Sequence, residues 1–211
     1  MFTQIKKIVS LHTHPVTIFL VVGSLVTFSS QSLCTMFLYE RSSILSGEIW
    51  RLFTCHLVHF SKGHLLLDLV CLTVAGWIVE TRNYPMFGFM CIVTAISVGL
   101  VSLLFLPDMY RYGGLSAIGI SAIIYLCLFS LKENPPQRWV YWAMLFLTTF
   151  KVFSEIATGE PLFGLIDDTL VVPVPLAHFT GMVVAVVFFA KNKTKIRAHA
   201  LALTSDYKTS Q

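Results

Sequence analysis

Residues 112–132 read YGGLSAIGISAIIYLCLFSLK, and this stretch decides what kind of molecule the chain encodes. From Gly114 to Leu131 it carries no charge, and it ends on Lys132. At ~1.5 Å of rise per residue such a helix approaches the ~30 Å of a bilayer's hydrocarbon core. The Gly113-Gly114 pair lets the chain turn inward before the helix starts, which puts Ser116 in its first turn. The amides of a first turn have no intrahelical acceptor and carry the positive end of the helix dipole. Such amides can hold a developing oxyanion.

Similar apolar runs occur at about 15–38, 64–80, 86–106, 139–157 and 173–190, which makes six in all. Hydrophobic residues are 55% of the 211 and charged ones 12%, too few to cover a soluble domain of this size. The expected fold is therefore all-α: a polytopic membrane protein of six helices in one bundle over 15–190. A cytoplasmic segment, 1–14, precedes it, and a basic cytoplasmic tail, 191–211, follows. The first run lacks the small-residue cleavage site of a signal peptide and is too long for one, so it reads as a retained helix.

Lys and Arg placement orients the bundle, because positively charged loops stay cytoplasmic. With both termini inside, most of the fifteen basic residues fall on that side, from Lys6 and Lys7 through Arg82, Lys132 and Arg138 to the 191–208 tail. The net charge of +4 is thus a topology signal and not a nucleic-acid footprint. A basic tail also attracts anionic membrane lipid, but its first reading is an anchor for topology.

Depth singles out four polar residues. Counted from the cytosolic helix ends, Ser116 lies roughly 24 Å above Lys132, His178 roughly 20 Å above Lys191, and Asp68 roughly 21 Å above Arg82, with His64 about a turn higher. That layer lies inside the hydrocarbon region and nearer the outer surface, so water has to reach it from outside. Ionisable groups at such depth normally face the bundle interior or a wet cavity and are functional candidates. A lone Ser in a spanning helix is usually a packing residue, the reading adopted for Ser121 and Ser130; the glycine break separates Ser116 from these. His178 precedes Gly181 and Ala185 on a small-residue face that permits close approach of a neighbouring helix, expected to be the one with Ser116 and Gly119. A neutral imidazole in reach can take the serine proton. A nucleophile and base meeting inside a bilayer imply intramembrane serine proteolysis.

Three stretches resemble the rhomboid family of intramembrane proteases. They are Trp50-Arg-Leu-Phe-Thr54 with His56, His59-Phe-Ser61 and His64-Leu-Leu-Leu-Asp68; Gly114-Leu-Ser-Ala117, similar to the family's Gly-x-Ser-x motif; and Ala177-His178 with Gly181. The resemblance, in order from about residue 47 to 190, implies the six-helix rhomboid fold, Ser116 as nucleophile and His178 as general base. It also implies a cavity open to the exterior and single-pass membrane proteins as substrates, cut near their membrane boundary. No metal or other cofactor is implied. His64 matches the first position of a His-x-x-x-Asn pair that serves the oxyanion, with Gly114 beside the nucleophile as support, and Trp50 and Arg51 match a loop motif that shapes the fold.

The chain departs from the family at three positions. Asp68 stands where most members carry Asn, and an ionised carboxylate cannot donate to an oxyanion. Either burial keeps Asp68 protonated or it turns to His64 at the i, i+4 spacing; the pairing is favoured. Ala117 replaces the usual Gly. Ile120 replaces a Tyr that stacks on the histidine in many members, so something else must pack His178. The short length, His-Leu-Leu-Leu-Asp and Tyr-x-Gly-Leu-Ser most resemble the rhombosortase branch, which implies secreted proteins held by a C-terminal anchor as substrates. The absence of a transit peptide and the positive-inside pattern point to a bacterial inner membrane, with the active site open to the periplasm.

Smaller features are read structurally. Lys151 and Glu155, one turn apart, are expected to pair inside the bundle. Asp167-Asp168 reads as solvated loop, and 159–175, with its prolines and glycines, as a cap over the cavity. Cys71, Cys91 and Cys127 read as apolar fillers; Cys34 and Cys55 are the pair an oxidising compartment could join. Two rival functions remain. His56, His59, His64, Asp68 and His178 could ligate a metal that activates water, although His59 and His64 are five apart and fit no zinc-helix spacing. A rhomboid-like protein that only binds membrane clients is the second rival, and it rests on Asp68 and Ala117.

Overall fold

A computed structural model describes residues 14–160, 162 and 174–193. The basic residues at 6, 7, 195, 197 and 208, the Asp167-Asp168 pair and most of the expected 159–175 cap lie outside these. Among the described residues, five helices are long and apolar enough to cross a membrane: α5 Lys62–Thr81, α6 Phe87–Phe105, α7 Ser116–Glu133, α8 Arg138–Thr158 and α9 Pro175–Asn192. The sixth expected span, 15–38, is not one straight rod. It forms α1, Pro15–Phe28, and α2, Gln31–Phe37, bent by 115°. The break falls at Ser29-Ser30, where Ser30 is extended and its side chain accepts from the Leu33 amide as a new N-cap. Hydropathy ran across this corner because serine interrupts a helix without interrupting an apolar average.

Short elements fill the segment before α5: α3, Arg41–Leu45, and α4, Arg51–Thr54. A two-residue antiparallel pair, β1 Tyr39–Glu40 with β2 Arg111–Tyr112, ties this segment to the approach to α7. Arg51 anchors it from within. Its guanidinium is buried, bonded to Glu48 Oε2 at 2.6 Å and to the carbonyls of Thr35 and Leu38 at 2.8 and 2.7 Å. Those are carbonyls α2 cannot satisfy at its C-terminal end. Trp50 stays half exposed, its indole N–H 3.4 Å from the Met36 carbonyl.

At the other end of the bundle, Glu80 of α5 accepts from the Val16 and Thr17 amides and the Thr17 hydroxyl, at 3.0, 3.0 and 2.6 Å. A carboxylate thus caps the N-terminus of α1, where amides and dipole both favour an anion. Arg82 is bonded to Glu133, Ser130, Tyr84 and Tyr141 and joins the same ends of α5, α7 and α8.

α7 is the central post. It is the most buried of the five spans, and it packs against α5, α6, α8 and α9. α8 stands at the periphery with little of its surface buried, and Val152 and Glu155 are its buried residues. α9 reaches α7 through a notch: a Cβ on Gly181 would strike the Ala117 carbonyl. The expected close approach is therefore present, with Ala117 as the partner. Gly119 faces Cys71 and Leu72 of α5 instead, because two positions along a helix turn a side chain through about 200°.

Candidate active site

Ser116 is the first residue of α7, and its position is set by the two glycines before it. Gly113 leaves room for the Val58 carbonyl, which a Cβ would meet at 2.8 Å. Gly114 has φ +137°, a conformation side chains rarely adopt, and a Cβ there would lie 2.8 Å from the His64 ring. The Gly114 amide is bonded to the Cys55 carbonyl at 3.3 Å. The pair thus provides the inward turn and also admits His64 against the backbone that leads into the serine.

Across from it, His178 occupies the first turn of α9. Its Nε2 is 2.9 Å from Ser116 Oγ. Its Nδ1 is 2.7 Å from Oε2 of Glu155, on the last turn of α8. Glu155 is fully buried, and its other oxygen meets Lys151 Nζ at 2.5 Å and the Leu162 amide at 3.4 Å. The expected pairing of Lys151 with Glu155 is present, but it is half of the arrangement. Sequence spacing on α8 shows the i, i+4 pair; that the carboxylate also meets His178, 23 residues on, is set by how α8 and α9 pack.

A second cluster lies below Gly114. His59 Nε2 is 3.1 Å and His64 Nε2 3.3 Å from the same oxygen, Oδ2 of the buried Asp68. The favoured pairing of Asp68 with His64 is thus observed, with His59 added. The reason it escaped the sequence is that His59 belongs to the irregular chain before α5, where helical spacing does not apply. These three donors lie within 4.8 Å of one another, a 2-His-1-carboxylate set suited to a transition metal. Both Nε2 atoms are already committed to Asp68 Oδ2, and the buried Nδ1 atoms of both rings have no hydrogen-bond partner among the described residues, whereas a ligating histidine usually donates its second N–H to one. The other two histidines of the metal reading are elsewhere engaged. His56 is held between the Gly114 and Ala95 carbonyls, 3.1 Å from each, and burial lowers its pKa.

Tyr112 was not singled out as a site residue. Its buried hydroxyl lies beside Ser116 but outside hydrogen-bond geometry, and burial raises its pKa well above the usual tyrosine value. Its ring packs edge-on to His56. Ala185 is fully buried on α9, while Trp50 and Arg51 belong to the loop framework described above. Cys34 and Cys55 are both free thiols.

A serine, an imidazole and a carboxylate in one hydrogen-bonded line, on the ends of three membrane helices, is an arrangement for acyl transfer inside the bilayer. Residues 46–192 match the family model described as Rhomboid domain. That match takes in α5 to α9 and every residue of both clusters, and the chain therefore belongs to the rhomboid family, whose members are generally intramembrane serine proteases.

Proposed function

We propose that the protein is an active intramembrane serine endopeptidase in which Ser116 is the nucleophile and His178 the general base. The observation that carries this is the 2.9 Å contact between Ser116 Oγ and His178 Nε2. In the reaction Nε2 takes the hydroxyl proton as Oγ attacks the scissile carbonyl carbon, and the carbonyl oxygen becomes the oxyanion. Amides at the start of α7 face that oxygen, in the role helix N-termini serve elsewhere. Collapse of the intermediate expels the amine, which takes the proton back from Nε2, and water then repeats the sequence on the acyl-enzyme. With both Nε2 atoms committed to Asp68, His59 and His64 act on this reading by fixing the floor under Gly114, and the amides carry the oxyanion.

The substrates we infer are single-pass membrane proteins cut near the outer membrane boundary, of the rhombosortase kind: secreted proteins held by a C-terminal helix with a basic end. The motifs His64-Leu-Leu-Leu-Asp68 and Tyr112-Gly-Gly-Leu-Ser116 support that branch. The membrane is a bacterial inner membrane with both termini cytoplasmic.

The test uses purified protein in detergent, a fluorophosphonate probe and a reporter with a C-terminal membrane anchor. Ser116→Ala is expected to abolish both labelling and cleavage. Cleavage that survives in Ser116→Ala but stops on chelation would turn the assignment to the His59, His64 and Asp68 cluster, and a wild type inert in both assays would make the protein a client-binding rhomboid.

A further inference from the structure

We infer that Glu155 is a positioning residue that fixes the tautomer of His178, and that Lys151 in turn fixes the carboxylate. The inference rests on the serine-protease reading above and adds a third and fourth member to its machinery. An ionised carboxylate can only accept hydrogen bonds. Glu155 Oε2, 2.7 Å from Nδ1, therefore obliges that nitrogen to carry the imidazole proton. The lone pair is left on Nε2, aimed at Ser116 Oγ. When Nε2 receives the serine proton, the ring becomes a cation beside an anion in a site of low dielectric. The proton on Nδ1 stays where it is throughout.

The surroundings make a structural role alone insufficient. If Glu155 served only to neutralise Lys151, one carboxylate oxygen would do, and the side chain could leave the other to solvent or backbone. Instead the two oxygens are divided: Oε1 takes Lys151 Nζ and the Leu162 amide, and Oε2 takes His178. Burial of the carboxylate is complete, while the Lys151 side chain keeps 18% of its surface. An acidic group placed so deep in a spanning helix is costly unless every acceptor is used.

The division of oxygens gives a test that packing alone would not pass. In Glu155→Gln, Lys151 demands the amide oxygen, so the NH2 group turns to His178. Nδ1 must then accept, the ring proton moves to Nε2, and the base is lost. Removing the lysine as well, in Lys151→Met with Glu155→Gln, leaves only the long 3.4 Å bond from the Leu162 amide to hold the oxygen there, so the amide can flip and present its oxygen to Nδ1–H at the cost of that bond. Both variants replace like volume with like, and the double variant leaves no charge unpaired.

In detergent, Glu155→Gln is expected to lower kcat and the fluorophosphonate labelling rate by about 100-fold or more, with KM and the final labelled fraction near wild type. The double variant is expected to regain roughly 10-fold in kcat while remaining below wild type, since its neutral amide orients the ring but does not balance the imidazolium. Should Glu155→Gln fail to fold, the double variant decides alone, with a kcat depressed about 10-fold at unchanged KM. The inference is overturned by a kcat within threefold of wild type in Glu155→Gln, by equal rates in the single and double variants, or by a loss that merely tracks the labelled fraction. If Ser116→Ala still labels and cleaves, the serine reading itself has failed; if that variant is dead and Glu155→Gln is normal, Glu155 alone is dismissed.

Discussion

Asp68 is one of the three positions at which the sequence departs from the rhomboid motifs it resembles, and its surroundings explain how a carboxylate is accommodated there. Two imidazoles, His59 and His64, direct Nε2 at one oxygen of a side chain that is almost fully buried. An asparagine turned with its carbonyl oxygen at that position still has two lone pairs, so it can accept from both rings, but it brings no charge. Asp68→Asn therefore replaces two charge-assisted hydrogen bonds by two neutral ones in a buried site. We expect the variant to be less stable by about 1–3 kcal/mol, read as a lower melting temperature in detergent, and less active as well. A variant with unchanged melting and turnover would remove the paired carboxylate from the account. Much of this was legible beforehand, since the i, i+4 spacing relates His64 to Asp68 on any helix. His59 was not, because nothing in an irregular segment fixes the direction of a side chain.

At the scale of elements, the site depends on how closely α9 can approach α7. Gly181 sits against the Ala117 carbonyl with no room for a Cβ, and backbone atoms cannot move aside as a flexible side chain can. A Gly181→Val change should push α9 outward at the level of His178, one turn away. The separation of Nε2 from Ser116 Oγ would grow, and a displacement near 1 Å can cost about 100-fold in rate. Turnover and labelling are thus expected to fall further than the melting temperature; a valine variant with wild-type labelling would refute the notch. The sequence announces the small-residue face of this helix and its neighbour, the helix with Ser116 and Gly119, but not the residue at the contact. Which residue of α7 meets Gly181 depends on the crossing of two helices, a property that neither sequence carries by itself.

The whole molecule has a chemical polarity along the membrane normal. Ser116, His178, Glu155 and the Asp68 cluster gather at one end of α5, α7, α8 and α9. Arg82 with Glu133, the Glu80 cap on α1 and the contact of Lys132 with the Lys193 carbonyl gather at the other. On the proposed orientation, with positive loops inside, the first end would face out. Single cysteines at Asp108 and Asn134, in a background with Cys34→Ser, should therefore differ in intact cells: a membrane-impermeant maleimide is expected to label position 108 and not 134. The reverse pattern would invert the topology and put the serine on the cytosolic side.

Depth counting also measures how far the chain could be read without its fold. The same arithmetic that grouped Ser116, His178, His64 and Asp68 puts Glu155 roughly 26 Å above Arg138, in their layer. The depth signal is present in the sequence, but pairing with Lys151 already accounts for the charge of Glu155, so nothing in the sequence points on to His178. Sequence alone determined the membrane class and the number of apolar runs, because these follow from composition, and it proposed an orientation and a depth for each polar group from charge placement and a fixed rise per residue. Tertiary structure decided the 115° corner after α1, the meeting of His59 with Asp68, and the line from Ser116 through His178 to Glu155. Those depend on the azimuth at which each helix faces its neighbours. In a bilayer that azimuth is set by close packing and buried hydrogen bonds between particular pairs, which no helix specifies until the others stand beside it.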